Sequence, residues 1–221
     1  MQTNGTNREA LAHVLWLGGT PCSGKTSIAR RLAERYALPI YHHDNHEAAH
    51  TALSDPARHP LTHAYSAMTL DERWVLRPVA EMVRATTGAW AERFELAVAD
   101  LLKLARDRPT LAEGPGLLPD AVAPLLTAPR QALWLVPTEA FKRAMQPTRG
   151  GRPGNETSDP ARAYQHLLAL DLRLAIDVKR RAAELGLTVV EVDGTRSIEE
   201  MATVVADHFG PLLSRAGSPA A

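Results

Sequence analysis

Eight consecutive residues, Gly19-Thr20-Pro21-Cys22-Ser23-Gly24-Lys25-Thr26, fit the pattern G-x-x-x-x-G-K-[ST] at every position. The glycines let the backbone turn tightly, so that several N–H groups can converge on one anion. In this pattern the lysine, Lys25, reaches the β- and γ-phosphates of a nucleoside triphosphate, and the hydroxyl of Thr26 binds Mg²⁺. Ser27 opens the following helix, whose positive end points at the same phosphates. ATP and Mg²⁺ are therefore the expected ligands of Gly19 to Ser27. A glycine-rich strand–helix turn with an incidental lysine is the competing explanation. The apolar run before the loop and the amphipathic run after it weigh against that explanation.

Two carboxylates fall just beyond apolar runs. Asp44 follows the second such run and Glu113 the third, which places both at the carboxyl edge of a parallel sheet, where ligands bind. At that edge Asp44 can accept the proton of a hydroxyl that receives a phosphoryl group, or hold the hydroxyl in line. It can equally be a plain helix cap. Glu113 can orient a Mg²⁺-bound water or contact substrate. Thr26, Asp44 and Glu113 are thus the candidate metal residues. No aspartate ends the fourth apolar run, which stops at Pro137, so the second protein ligand stays open between Asp44 and Glu113.

Lys142, Arg143, Arg149 and Arg152 flank or occupy a Gly/Pro-rich stretch, 147–160, that reads as a mobile loop or lid. Arginines closing there can pair with phosphate oxygens during transfer. Arg149 and Arg152 are the candidates for that task, and Arg143 for nucleotide binding. His46-Glu47-Ala48-Ala49-His50 matches the short H-E-x-x-H zinc motif. With His42 and His43 close by, polar lining of a substrate pocket is the favoured explanation over zinc. Trp74, Arg77, Arg84, Trp90 and Arg93 lie on helical stretches nearby, where tryptophan can stack on a ring or fill a small core.

These residues need a frame. Short apolar strands are expected at 13–17, 38–41, 110–112, 131–136 and 188–192, alternating with helices. The order β-α-β-α(α)-β-α-β-α-β-α predicts an α/β/α three-layer sandwich around a five-stranded parallel sheet. Residues 1–10 are expected to fray. Residues 55–62 read as loop, and 69–86 and 89–107 as two helices, with Pro78 kinking or dividing the first. A single domain is expected over 1–221, with a helical insert at about 45–108 and a lid at about 142–162.

The loop at 19–26, the acid after strand two, the helical insert, Glu113-Gly114 after strand three, the arginine-bearing lid and the Asp193-Gly194-Thr195 turn together resemble the nucleoside-monophosphate-kinase-like group of small P-loop kinases. That group includes shikimate and gluconate kinases and chloramphenicol phosphotransferase. The resemblance spans most of the chain. It implies the P-loop NTPase fold and ATP-dependent transfer to a small molecule. It also implies that Asp44 contacts the acceptor hydroxyl and that Asp193 and Gly194 lie near the nucleotide base. A sugar, a nucleoside or an antibiotic would serve as acceptor. A nucleoside monophosphate is the first alternative, and a nucleotide-binding regulatory ATPase module the second.

Composition narrows the field. Twenty-five basic residues balance twenty-five acidic ones, which disfavours nucleic acid as a partner. One cysteine, Cys22, rules out an internal disulfide and suits a reducing, cytoplasmic setting. No apolar run approaches a membrane span and no signal-peptide core is present, so no membrane partner is expected. Oligomeric state is not legible.

Overall fold

The computed structural model describes residues 3–145 and 155–213, with side chains from residue 7 onward. Five strands, β1 (Val14–Gly19), β2 (Ile40–His42), β3 (Thr110–Glu113), β4 (Ala132–Pro137) and β5 (Thr188–Val192), form one sheet in the order β2-β3-β1-β4-β5. Every pairing is parallel. The protein is thus α/β, with helices covering both faces of the sheet.

Alternation along the central strands decides which helices cover which face, because successive side chains point to opposite sides. Trp16 and Trp134 face one side, packed with Phe94, Ala97 and Leu101 and with Ala175, Val178 and Ala182. Those residues belong to the two longest helices, α6 (Val79–Lys103) and α9 (Pro160–Glu184). Leu15, Leu17, Leu133 and Leu135 face the other side. There they meet Ile28 and Leu32 of α2 (Lys25–Tyr36) and Met201, Val205 and Phe209 of α10 (Ile198–Leu213).

Several elements depart from the sequence expectation. Residues Thr3–Ala10 form a helix, α1, and Leu11 just after it is fully buried against the sheet; burial of that leucine holds down a segment expected to fray. Residues 55–62 are not all loop, since α4 (Pro60–Ser66) begins at Pro60, a residue suited to a first helical position. Pro78 divides the first expected helix, standing between α5 and α6 at the N-cap of α6, which then runs unbroken through the expected break at 87–88. At Gly88 α4 comes close: a Cβ there would lie 2.7 Å from Cδ1 of Leu61, an exposed side chain that can shift aside. The remaining helices are α3 (Glu47–Leu53), α5 (Leu70–Trp74), α7 (Pro119–Val122) and α8 (Glu139–Met145). Met82, Leu170 and Leu174 form a third apolar cluster, with Trp74 and Trp90 packed against it, so both tryptophans serve as filling for a small core.

Candidate functional site

The loop after β1 turns through positive φ at three positions. Gly19, Cys22 and Gly24 have φ of 128°, 68° and 79°. Cys22 is the informative one, because a left-handed backbone costs a non-glycine residue about 1–2 kcal/mol. That handedness reversal turns successive N–H groups to a common side. Gly24, at the N-cap of α2, offers no side chain to cap the helix, and the first turn carries no acidic residue. The positive helix end is therefore left to an external anion.

Lys25 lies back across this loop. Its Nζ donates to the carbonyl of Thr20 at 2.9 Å and to Ser23 Oγ at 3.4 Å, and the side chain is largely buried. A carbonyl is a weak partner for an ammonium, and phosphate oxygens would displace it readily.

Register joins the three strand ends. Glu113 is level with Leu17 on one side and His42 on the other. Its buried carboxylate accepts from Thr26 Oγ1 at 3.1 Å and lies 2.7 Å from His42 Nδ1. Thr26 and Glu113 are hard oxygen donors within reach of each other, which fits Mg²⁺. Among the described residues no group of three or more His, Cys, Asp or Glu side chains is set to hold a metal.

Asp44 stands apart from this pair. Its side chain is 62% exposed and its Oδ1 is 3.6 Å from His43 Nδ1. It sits on a short 3-10 turn, His43–His46, directly after β2. His43 behind it is buried, with neither ring nitrogen hydrogen-bonded. The ring fits only because Gly116 has no side chain, since a Cβ there would lie 2.3 Å from His43 Cε1.

The H-E-x-x-H residues do not assemble as zinc ligands. His46 Nδ1 is 2.9 Å from the carbonyl of His42, and its ring stacks on Tyr41 at 4.3 Å. His50 Nε2 is 2.8 Å from Asp100 Oδ2. Glu47 accepts from Arg93 at 3.0 Å. Burial lowers the His50 pKa in spite of Asp100, and burial raises that of Tyr41. His50 is therefore neutral in the fold, with its N–H given to Asp100. A histidine held neutral stabilises the fold fully above its unfolded value of 6.5, and that contribution is lost as pH falls below it toward the folded value. The urea midpoint is expected to drop between about pH 7.5 and 5.5, and His50→Gln to flatten that slope. An unchanged slope in the variant would place the effect on other groups, among them His13 and His208, whose pKa values burial also lowers.

Arg93 is buried, and its Nε has no hydrogen-bond partner among the described residues. Arg73 lies over the Tyr65 ring at 4.7 Å, and its Nε is likewise buried with no such partner among them. Neither arginine's environment is legible from sequence, because the partners come from α3 and α4.

The expected lid residues divide. Arg149 and Arg152 lie outside the described residues. Arg143 is exposed and bonded to Glu139 on its own helix. Lys142, one position earlier, is instead buried against Asp171 of α9 and the loop residues Pro21 and Cys22. Asp193 closes its own turn by accepting from Thr195 N at 3.0 Å, and those bonds hold its carboxyl below the usual range. Gly194 packs on Phe141, leaving a Cβ only 2.6 Å from that ring.

No described helix is long and apolar enough to cross a membrane. No protein-family model matches the chain and no curated protein is similar to it. Among solved structures, the chain is similar to the crystal structure of an uncharacterized protein from Eubacterium ventriosum, at 10% identity and a TM-score of 0.43, covering 90% of this chain and 98% of that one.

Proposed function

We propose that this chain is a kinase that transfers the γ-phosphoryl group of ATP to a hydroxyl of a small molecule. One observation carries the reading: a phosphate cradle, the Thr26–Glu113 oxygen pair and the exposed Asp44 carboxylate all lie at the carboxyl edge of adjacent parallel strands. Lys25 neutralises the β- and γ-phosphates, and the N–H groups opening α2 orient them. Thr26 and Glu113 would hold Mg²⁺, which would supply neutralisation of the phosphate charge when bound. Asp44, open to solvent, accepts the proton of the acceptor hydroxyl or holds it in line. Arg149 and Arg152 are assigned to the charge that develops on the transferred group. The insert at about 45–108 selects the acceptor. The single cysteine suits work in the cytoplasm.

The test is a product screen by mass spectrometry with Mg-ATP and pools of sugars, nucleosides and hydroxylated antibiotics. A product heavier by about 80 Da is expected, one phosphoryl group. Asp44→Asn is expected to bind Mg-ATP as the wild type does and to lose transfer by about 10²–10⁴-fold. Transfer at the wild-type rate would remove Asp44 from the mechanism.

A second reading, a phosphate-bearing acceptor such as a nucleoside monophosphate, is favoured by Arg93. A buried guanidinium with an unpaired Nε is costly unless an anion joins it. Its present partner, Glu47, is half-exposed and easily displaced. On this reading Arg93→Met raises the KM of a nucleoside monophosphate about 10–100-fold. Fold stability should change by only about 1 kcal/mol, because the Glu47 carboxylate left behind is half-exposed and is taken up by water. An unchanged KM would leave the neutral acceptor as the better description.

A further inference from the structure

Lys142 is among the largest side chains wholly removed from solvent, at 2% exposure. Taking an ammonium out of water is unfavourable unless its partners are well placed. Its contacts are specific. Nζ is bonded to the Asp171 carboxylate of α9, donates to the carbonyl of Pro21 at 3.4 Å and lies 3.3 Å from Cys22 Sγ. Pro21 and Cys22 form the middle of the cradle, furthest from the ends that β1 and α2 fix. Cys22 is also the residue held at φ 68°. The corner whose backbone is least favourable for its side chain is thus the corner that Lys142 grips.

We propose that Lys142, anchored by Asp171, is a positioning residue that holds the Pro21–Cys22 corner so that the cradle is set before an anion arrives. Donors ordered in advance bind more tightly, because ordering is not charged against binding. The inference rests on reading Gly19 to Thr26 as a phosphate site. It gives Lys142 a role the sequence does not suggest, since neighbouring arginines are the obvious phosphate partners and Lys142 reaches the backbone of the loop.

Inorganic pyrophosphate and Mg-ADP are suitable probes, the first because it needs little beyond the cradle itself. Lys142→Met takes the ammonium away from a carboxylate that is only 14% exposed, and is expected to lower Tm. Adding Asp171→Leu removes both charges and is expected to restore Tm, while pyrophosphate and Mg-ADP still bind about tenfold or more weakly. A double variant that regains wild-type affinity along with its stability would reduce Lys142 to a charge balance and overturn the proposal. Should the double variant not fold, Asp171→Asn keeps a neutral acceptor for Lys142. It is expected to lower Tm, since the buried ammonium loses its anion, and, measured well below that Tm, to bind pyrophosphate about three- to tenfold more weakly; wild-type affinity there would also overturn the proposal. Wild-type protein that binds neither probe would overturn the phosphate site itself, a different failure from either of these.

Discussion

Lys25→Ala is expected to weaken Mg-ATP binding by about 10²–10⁴-fold. The ammonium can make two charge-assisted hydrogen bonds to phosphate oxygens, each contributing about 1.5–3 kcal/mol, and about 1.4 kcal/mol is a factor of ten. Little of this loss should appear as instability. In the ligand-free fold Lys25 donates to the Thr20 carbonyl and Ser23 Oγ, and a typical hydrogen bond of this kind contributes about 1 kcal/mol. Titration calorimetry beside a thermal melt separates the two effects. A variant that keeps its affinity would mean that the loop does not carry the β- and γ-phosphates, and the proposed function would fail with it.

Gly19→Ala is expected to destabilise the protein by more than about 4 kcal/mol, which for an ordinary domain of about 5–15 kcal/mol is a large fraction of the whole. Two costs coincide. Gly19 has φ of 128°, a conformation that L side chains rarely adopt, and an added Cβ would lie 2.0 Å from the Leu135 carbonyl oxygen. That oxygen is backbone in the paired central strand β4, at the residue level with Gly19, so no rotamer change can relieve the overlap. Urea denaturation reads the effect directly. A shift of less than about 1 kcal/mol would show that β1 and β4 separate easily, contrary to their buried, continuous pairing.

The parts of this molecule that sequence made legible are those written in consecutive residues. The cradle is contiguous, and its strand–helix setting needs only local periodicity. Asp44 and Glu113 could be placed at the sheet edge because each directly follows a short apolar run. What Glu113 does there was not legible. Its partners Thr26 and His42 are 87 and 71 residues away along the chain, brought close only by the strand order β2-β3-β1. Lys142 was noticed as a charged residue beside a loop, yet its burial depends on α9 and the cradle, neither adjacent in sequence. The H-E-x-x-H spacing is local too, but what its residues touch is not: Arg93 and Asp100 of α6 claim Glu47 and His50. Likewise, Pro78 was legible as a break and does separate α5 from α6, whereas the expected gap at 87–88 is absent because α6 runs on to Lys103.

Helices α6 and α9 have 25 residues each, roughly 37 Å of length, and both contribute to two apolar clusters. Met82, Leu170 and Leu174 pack in the insert, while Phe94, Leu101, Ala175 and Val178 pack on the sheet. The two beams therefore tie the insert to the sheet as a truss, and tilting one against the other would unpack both clusters together. On the proposed function, acceptor choice would then be set by the short helices between residues 47 and 74, while the two beams hold the sheet edge in place.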